Sequence, residues 1–372
     1  MIKKTRSLFR GILILINIVF ILLYLAVCLV PYINTGKYWM IALPGLAFPL
    51  LFGTLVCFLI LWAIWRSRWF WICLVVILVG FQQLFSVFSI HLPQEFTLQR
   101  QPNTLRVLHW NVESWDDSFA KSRQNDHSFR PQMMALLKEQ NADVLCFEEY
   151  TDIANLEDSN SNASWIRSMG FPYYLYARTE MSGDNEQQGV VLFSKYPIVD
   201  TGTYNYGPHS HAEHLIFGDI RVGNKTFRIF TTHLQSVRFG YNEYESLSRL
   251  KHAKDPGFHD SRTIVSKLKA GYEHRFTQAQ TVRDKINESP YPVVLTGDFN
   301  DVPNSNTYFT IKGKLQDTFL KKGYWIGRTF RFISPTLRID YILADKSFKV
   351  NQFRVIHVPY SDHFPVETDL QY

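Results

Sequence analysis

Hydrophobic positions divide the chain into two parts with different patterns. The first part contains three long apolar runs in which polar residues are rare. Each run reaches the roughly 20 residues that a helix needs to cross a bilayer. From residue 105 onward, short apolar runs alternate with amphipathic segments, a pattern typical of an α/β domain. We predict transmembrane helices over 11–32, 39–65 and 69–90, which form a membrane anchor over 1–92, a linker over 93–104 and a globular domain over 105–372.

The third apolar run is weaker than the others because it contains Gln82 and Gln83. Two spans plus a surface helix are therefore the alternative to three spans. For the first run the alternative is a cleaved signal peptide, but its apolar core is too long and no small-residue cleavage site is obvious. No charged residue lies within the three runs, which favours an anchor over a transporter.

Basic residues predict the orientation of the anchor. Lys37 is the one basic residue between the first and second runs, whereas four precede the first run and two lie between the second and third (Lys3, Lys4, Arg6, Arg10, Arg66 and Arg68). Positively charged flanks prefer the cytoplasm. We therefore predict a multi-pass cell-membrane protein with a cytoplasmic N-terminus. Three crossings would place the globular domain, and everything else after His91, in the periplasm or another extracytoplasmic space.

The net charge of +6 belongs to the N-terminal part of the chain. Residues 1–100 hold eight of the 39 Lys and Arg residues but a single acid, Glu95, of 33. The remainder is nearly neutral, so a globally basic nucleic-acid-binding domain is not indicated. The four cysteines show no disulfide or zinc spacing. No protein partner can be inferred, whereas the anchor implies a lipid bilayer as one partner.

Residues 292–301 contain a short predicted strand that ends in polar residues. The apolar residues Val293 to Leu295 lead through Gly297 to Asp298 and Asn300. Alternate residues of an extended chain point the same way, so Asp298 and Asn300 would project together. A turn is the simpler interpretation of such a stretch taken alone, because Asp and Asn favour turns.

The same arrangement recurs at the ends of other predicted strands. Strand ends present Asn111, Glu149, His233, Asp298 with Asn300, and Asp362 with His363. Asp340 lies inside a further apolar run, and a buried carboxylate needs a partner. We therefore expect Asp340 to face a cation, a histidine or several hydrogen-bond donors. So many polar strand ends in one domain favour a functional site over a set of turns.

Six short motifs resemble those of the endonuclease/exonuclease/phosphatase superfamily. They contain Asn111 in His-Trp-Asn-Val, Glu149 after Val-Leu-Cys-Phe-Glu, His233 in Thr-His-Leu, Asp298 and Asn300 in Gly-Asp-Phe-Asn, Asp340 in Arg-Ile-Asp-Tyr, and His363 in Ser-Asp-His. The resemblance covers about residues 105–372, with the motifs in the expected order. It implies an α/β fold, a four-layer α-β-β-α sandwich with the site at one end.

The resemblance also implies a role for each motif residue. Glu149 would be the main ligand of Mg²⁺ (or Mn²⁺), with Asn111 and Asp362 close to the metal. Glu113 stands where some relatives carry Asp, so a metal role is not expected for it. The catalytic residues would be Asp298 for the attacking water, Asn300 for the phosphate, His363 for the phosphoryl group or proton transfer, Asp340 to orient His363, and His233 for the transition state.

The residue types agree with metal-assisted phosphoester hydrolysis. Mg²⁺ takes oxygen ligands and can activate water, and histidine suits proton transfer near neutral pH. No Cys or Ser lies in a nucleophile-elbow context, which favours direct attack by water. A non-catalytic binding module on the same fold is the alternative, but Glu149, Asp298 and His363 are all retained.

The substrate is predicted only by class. Tethering to a membrane slightly favours a lipid-headgroup phosphodiester over nucleic acid, which remains the alternative substrate. A basic, aromatic insertion over 235–272 would either contact an anionic substrate or form a solvated helix pair. A second basic region contains Lys312, Lys314, Lys321, Lys322, Arg328 and Arg331 and is open to the same two interpretations.

Overall fold

Two mixed β-sheets, packed face to face, form the centre of the catalytic part. The computed structural model describes residues 2–116, 128–180, 186–207, 213–237 and 258–372. Within these ranges the first sheet has the strand order β11-β12-β1-β2-β4-β3 and the second has β5-β6-β7-β8-β10-β9. Parallel pairs, β1 with β2 and β7 with β8, lie at the centre of each sheet.

The strands are β1 Thr104–Asn111, β2 Val144–Ile153, β3 Tyr173–Glu180, β4 Glu186–Ser194, β5 Ile198–Asn205, β6 His214–Val222, β7 Lys225–His233, β8 Val293–Asp298, β9 Gln316–Asp317, β10 Asp340–Ala344, β11 Lys349–Val355 and β12 Val366–Gln371. The helices are α1 Ile2–Leu29, α2 Trp39–Ala42, α3 Phe48–Ile64, α4 Trp69–Val79, α5 Phe81–Val87, α6 Arg130–Gln140, α7 Asn162–Ser168, α8 Phe258–Asn287, α9 Asn306–Lys312 and α10 Thr318–Lys322.

Three apolar clusters hold four layers together. The cluster between the sheets contains Val107 and Cys146 from the first sheet with Ile229 and Ile342 from the second. The outer face of the first sheet packs on α6 and α7, and the outer face of the second packs on α8 and α9. Alternate residues of β2 supply both faces of its sheet, as the strand period requires. The predicted α/β sandwich is confirmed.

The strand register brings polar residues to one end of the sandwich. Asn111 lies opposite Glu148 in the β1–β2 pair, and His233 lies opposite Asp298 in the β7–β8 pair. Asp340 pairs with Asp298 between β10 and β8. Because the parallel strands within each pair end together, their terminal side chains converge at the same edge.

Gly297 allows β7 and β8 to approach closely just before Asp298. A Cβ atom at this position would lie 2.3 Å from the Thr232 carbonyl oxygen, a distance that real Cβ atoms do not adopt. A larger residue would therefore push β8 away from β7. The glycine fixes the position of the polar strand end that follows it.

The apolar N-terminal part forms a helical bundle. Two helical segments, Ser7–Tyr32 and Trp39–Ile64, are long and apolar enough to cross a membrane. The third predicted span is two helices, Trp69–Val79 and Phe81–Val87, bent by 60° at Gly80. Gly80 packs directly on the Tyr24 ring, where a Cβ would lie 2.2 Å from the hydroxyl oxygen, so the bend and the packing coincide. Three crossings stay a prediction, which requires the bent pair to form one span.

One end of the bundle carries the contacts with the catalytic part. Arg10 donates a hydrogen bond to Ser67 at one end, whereas the Cys28 carbonyl, about 27 Å away along the helix, accepts one from Gln83. The Cys28 end contacts the catalytic part through hydrogen bonds from Asn304 to Gly45, from Asn306 to Pro31 and Ile33, from Arg338 to Ser86, and from Ser89 to Gly323. These described contacts lie at the end opposite the basic N-terminal residues.

The predicted linker is held against the first sheet. The Phe96 ring lies 4.9 Å from the Arg106 guanidinium and 4.0 Å from that of Arg354. Gln352 donates a hydrogen bond to the Thr97 carbonyl at 2.7 Å and accepts one from the Thr97 amide at 3.0 Å. The connection between anchor and sandwich is therefore fixed at its midpoint.

Candidate active site

The predicted site residues meet at one end of the sandwich, between the two sheets. Asn111 spans the seam, since its side-chain amide donates to Glu149 of the first sheet at 3.3 Å and to Asp298 of the second at 3.2 Å. Its carbonyl oxygen accepts the Glu113 amide hydrogen at 3.1 Å. One side chain thus joins the two strand ends on which the site is built.

A bulge in β2 separates the directions of two consecutive glutamates. The register of β2 against β4 shifts between Phe147 and Tyr150, and Glu149 has a φ of +48°. Bulges commonly re-aim side chains next to active sites. Glu148 is fully buried, whereas the side chain of Glu149 is 32% exposed. Of these two carboxylates, only Glu149 is open to a ligand.

His363 is held in position from both sides. Asp340 lies 2.9 Å from His363 Nδ1, and the His363 carbonyl accepts a hydrogen bond from the buried Trp110 indole at 2.9 Å. Burial alone would lower the pKa of His363, but Asp340, Asp362 and Asp298 raise it well above its usual value. These carboxylates favour the imidazolium form of His363, and its Nε2 atom lies 3.7 Å from Asp298 Oδ2.

Asp298 is the buried carboxylate at the centre of the site. Its Oδ1 atom accepts the Asn300 amide hydrogen at 2.8 Å, and its Oδ2 atom faces both His363 and His233. Burial raises the pKa of Asp298 to about 6, although the two histidines oppose this change. A carboxylate with this pKa is suited to accept a proton near neutral pH.

His233 is buried without a hydrogen-bond partner. It is 3% exposed, and neither ring nitrogen forms a hydrogen bond to any described residue. Its Nε2 atom lies 3.8 Å from both Glu149 Oε1 and Asp298 Oδ2, which is too long for a direct bond. Because buried polar groups are nearly always hydrogen-bonded, a group bound at the site would supply the hydrogen-bond partner that His233 lacks among the described residues.

Asn300 supports the loop that follows β8. Its side-chain amide donates to the Leu234 carbonyl at 3.0 Å and to Asp298 Oδ2 at 3.3 Å. Its backbone lies in the left-handed region, with a φ of +50°. Asn300 lies beside Asp298, but through a turn closed by the Asp298 side chain rather than through the alternation of an extended strand.

The carboxylates of Glu113, Asp362 and Glu149 lie close enough for their charges to interact. Asp362 donates its amide hydrogen to Glu113 Oε2 at 2.9 Å. Burial and the Asp362 charge raise the pKa of Glu113 to about 9, and burial and Glu149 raise the pKa of Asp362 to about 6. A divalent cation would relieve this repulsion, and it prefers carboxylate oxygens. Glu149, Asp362 and Glu113 offer oxygen ligands of the kind that Mg²⁺ takes, although their ligand atoms do not all lie within 4.8 Å of one another. Sequence analysis did not assign Glu113 to this group.

Asp298, Asp340 and His363 also have a spacing that could hold a metal ion. One ligand atom from each lies within 4.8 Å of the others. However, both Asp340 oxygens lie within 3.0 Å of His363 Nδ1. We interpret this trio as a hydrogen-bonded proton-transfer group, because Asp340 is already occupied.

A buried row of polar residues continues behind Asp340, and sequence analysis did not assign it. His109 Nε2 lies 3.2 Å from Asp340 Oδ1, and His109 Nδ1 lies 3.1 Å from Glu148 Oε2. Thr231 donates a hydrogen bond to Glu148 at 2.6 Å. The strand period could have indicated His109, which lies two residues before Asn111 and points the same way.

The structure describes only some residues of the two basic regions predicted from the sequence. Arg238, Tyr241, Tyr244, Arg249, Lys251 and Lys254 lie outside the described residues, and so does the side chain of Phe258. Arg262, Lys267 and Lys269 lie on α8. From the second region, Arg331 lies next to the site, where it donates to the Ser361 carbonyl at 2.8 Å.

Solved structures share this fold. An endonuclease/exonuclease/phosphatase from Beutenbergia cavernae DSM 12333 matches with a TM-score of 0.52 at 22% identity, and the match covers 72% of each chain. A mannosyl-6-phosphatase from Bacteroides thetaiotaomicron has a TM-score of 0.48 at 18% identity, covering 72% of this chain and 100% of that one. The human Nocturnin catalytic domain has a TM-score of 0.49 at 16% identity, and the match covers 72% of this chain and 93% of that one. No curated protein sequence matches the chain.

Two family models match separate parts of the chain. Residues 10–87 match a domain of unknown function (DUF8431). Residues 108–363, which contain every predicted site residue, match the Endonuclease/Exonuclease/phosphatase family. The chain belongs to the endonuclease/exonuclease/phosphatase family.

Proposed function

We propose that this protein is a membrane-tethered, Mg²⁺-dependent phosphodiesterase that uses water as the nucleophile. Members of the family are generally hydrolases that act on phosphoesters. The observation that carries the proposal is the pair of histidines, His233 and His363, that face Asp298 at 3.8 and 3.7 Å. A phosphoryl group and a water molecule bound against these three side chains would find a proton acceptor and two donors.

Glu149, Asp362 and Glu113 would hold the metal, with Asn111 orienting Glu149. A bound Mg²⁺ or Mn²⁺ would polarise a phosphoryl oxygen and neutralise charge that develops on it. Glu149 supports this assignment because its side chain is 32% exposed, whereas its neighbour on β2, Glu148, is buried.

The proton transfers follow from the hydrogen bonds within the site. Asp298 accepts the proton of the attacking water, and Asn300 and Asn111 keep its carboxylate in one orientation. Asp340 accepts the Nδ1 hydrogen of His363 and stabilises its imidazolium form, in which Nε2 also carries a proton that can be donated toward the phosphoryl or leaving oxygen. His233 donates to a phosphoryl oxygen from the opposite side.

The apolar helices support a location at a membrane. Two of them are long enough to span a bilayer, and the catalytic part contacts the bundle at the end away from Arg10 and Ser67. With a cytoplasmic N-terminus, the catalytic domain lies outside the cytoplasm. A lipid-headgroup phosphodiester is then the substrate class that the site meets most often.

A panel of substrates tests the proposal. The full-length chain, purified in detergent and supplied with Mg²⁺, is incubated with phospholipids, sphingomyelin, inositol phosphates, single- and double-stranded DNA, and bis(p-nitrophenyl) phosphate. We expect hydrolysis of phosphodiesters that requires Mg²⁺ and is lost in the His363→Ala variant. Hydrolysis that persists in this variant, or no hydrolysis of any member, would contradict the proposal.

A further inference from the structure

A loop of the catalytic domain joins the end of the anchor to the candidate site. We call residues 324–333 the bridging loop. Near its start, the Ser89 amide donates to the Trp325 carbonyl at 2.8 Å, and the Trp325 amide donates to the Ser89 carbonyl at 3.2 Å. Near its end, Phe330 forms a β-bridge with His363. The same short segment therefore contacts both the anchor and the site histidine.

The bridging loop exposes large apolar side chains. Tyr324, Trp325, Phe332 and Ile333 are 41–57% exposed. Clustered exposed apolar groups mark interaction surfaces more often than ordinary protein surface. The Trp325 ring also lies 5.0 Å from Phe88 of the anchor, and Ile326 is buried among the anchor residues. The apolar surface at the Trp325 end of the loop is thus continuous with that of the bundle.

Two arginines of the bridging loop, Arg328 and Arg331, lie beside the site. No ion pair between described residues includes Arg328 or Arg331. Arg328 donates to the Phe330 carbonyl at 2.7 Å, and Arg331 donates to the Ser361 carbonyl at 2.8 Å. Each guanidinium is therefore held in place with donors to spare, and such groups suit phosphate oxygens.

The distance of the loop from the apolar helices favours a membrane as its partner. The last anchor helix ends at Val87, and Trp325 pairs with Ser89, two residues further on. The polar interface on each side of the hydrocarbon core is about 5–7 Å thick, so Trp325 lies within it if the helices cross the bilayer. Aromatic and basic side chains are the types that anionic lipid interfaces attract.

We propose that the bridging loop rests in the headgroup layer of the membrane that holds the anchor, where Arg328 and Arg331 bind the phosphate of a phospholipid. This inference rests on the proposed function and narrows its substrate to a phospholipid still in the bilayer. The apolar side chains enter the interface, and the lipid phosphate lies between the two arginines and His363. A phosphoester in solution does not need the exposed apolar side chains of this loop.

Paired substrates test the inference with the full-length chain in vesicles that contain anionic phospholipid. One substrate is a labelled vesicle phospholipid, and the other is soluble bis(p-nitrophenyl) phosphate. We expect the double variant Phe332→Ser/Ile333→Ser to lose about tenfold in turnover of the vesicle substrate while turnover of the soluble diester is retained. The control Trp165→Ser/Val199→Ser, at positions of similar exposure (41% each) outside the loop, should retain both activities.

The outcomes separate the two claims. Equal losses on both substrates, or no loss on the vesicle substrate, would overturn the role of the bridging loop. Wild-type protein that cleaves the soluble diester or DNA but no vesicle phospholipid would also overturn it, while the proposed function would stand. Wild-type protein that cleaves no phosphoester would instead contradict the proposed function.

Cysteine labelling tests the position of the loop without any activity. Ile333 and Val199 are both 41% exposed, but Val199 lies on β5, at the sheet edge opposite β9. In the same vesicles, a membrane-impermeant maleimide should label Ile333→Cys at least about tenfold more slowly than Val199→Cys, because only the former is covered by lipid. The wild-type chain supplies the background rate. Equal labelling rates would overturn the inference even if the enzyme is inactive.

Discussion

Replacing Asp340 with Asn removes a negative charge from between two histidines while keeping the size of the side chain. Asp340 is 2% exposed, and its carboxylate lies 2.9 Å from His363 Nδ1 and 3.2 Å from His109 Nε2. Burial alone would raise the pKa of Asp340, but the two histidines lower it well below its usual value. The carboxylate therefore stabilises both imidazolium groups.

The structure predicts a large loss in both stability and turnover for Asp340→Asn. Removing one partner of a buried charge pair lowers the free energy of unfolding by about 3–5 kcal/mol, because the remaining charge is left uncompensated. At a few degrees per kcal/mol, the Tm should fall by about 10 °C. Turnover should fall by about 10²–10⁴-fold, because His363 loses the group that orients it and holds its proton.

The loss in stability should depend on pH. The pKa of His363 is raised, so its stabilisation is complete below the usual histidine pKa of about 6.5 and is lost as the pH rises through the folded value. The pKa of Asp340 is lowered, so its stabilisation is present above about 3.9 and is lost as the pH falls through the folded value. The wild type and the variant should therefore differ most in Tm between about pH 3.9 and about pH 6.5. Thermal unfolding should show a larger difference in Tm at pH 5.5 than at pH 9.

Asp369→Asn is a matched control. Asp369 is also 2% exposed, and its two carboxylate oxygens accept hydrogen bonds from the Arg106 guanidinium at 2.7 and 2.9 Å. This pair lies near the start of β1, far from the site. We expect a similar fall in Tm but turnover within about threefold of the wild type, assayed well below both Tm values. Turnover of Asp340→Asn within about tenfold of the wild type, or an equal loss of turnover in both variants, would refute the role of Asp340.

Three further predictions concern the metal and the strand ends. Glu113→Gln should raise the Mg²⁺ concentration for half-maximal turnover, since one oxygen ligand is lost, and an unchanged Mg²⁺ titration would place Glu113 outside the metal site. The pKa of Glu113 is raised to about 9, so metal-free protein should lose stability as the pH rises from about 4.5 toward 9. Mg²⁺ should therefore increase the Tm more at pH 8 than at pH 5.5. Equal increases at the two pH values would argue against this carboxylate cluster. Gly297→Ala should lower the free energy of unfolding by about 1–3 kcal/mol and reduce turnover, because the new Cβ would lie 2.3 Å from the Thr232 carbonyl oxygen. A chemical-denaturation midpoint equal to that of the wild type would contradict this prediction.

Local pattern was sufficient for the elements that carry the site. The sequence pattern predicts helices over 131–140 and 263–288 and a strand over 143–147. The first two correspond to α6 (Arg130–Gln140) and α8 (Phe258–Asn287), and the third begins β2. Proline, glycine and the strand or helix period mark these elements within a few residues. By contrast, β5 (Ile198–Asn205) has no apolar run and is mostly exposed, so only its pairing with β6 makes it a strand.

The site could be predicted as a set of residues but not as an arrangement. Each strand end was visible in the sequence, but the bulge that aims Glu149 outward and Glu148 inward depends on pairing with β4. The contact between His109 and Asp340 joins residues 231 positions apart and two different sheets. Such contacts follow from long-range register, which periodicity in one segment does not contain.

Metal-dependent turnover is the most direct test of the central claim. The full-length chain is stripped of metal with a chelator, and hydrolysis of a phosphodiester is measured as Mg²⁺ is added back, in parallel with the Glu149→Gln variant. We predict that Mg²⁺ restores turnover to the wild type, whereas Glu149→Gln stays inactive at every Mg²⁺ concentration while it remains folded. Full turnover in the stripped wild type, or equal restoration in the variant, would contradict the assignment of this site as a metal-dependent phosphodiesterase.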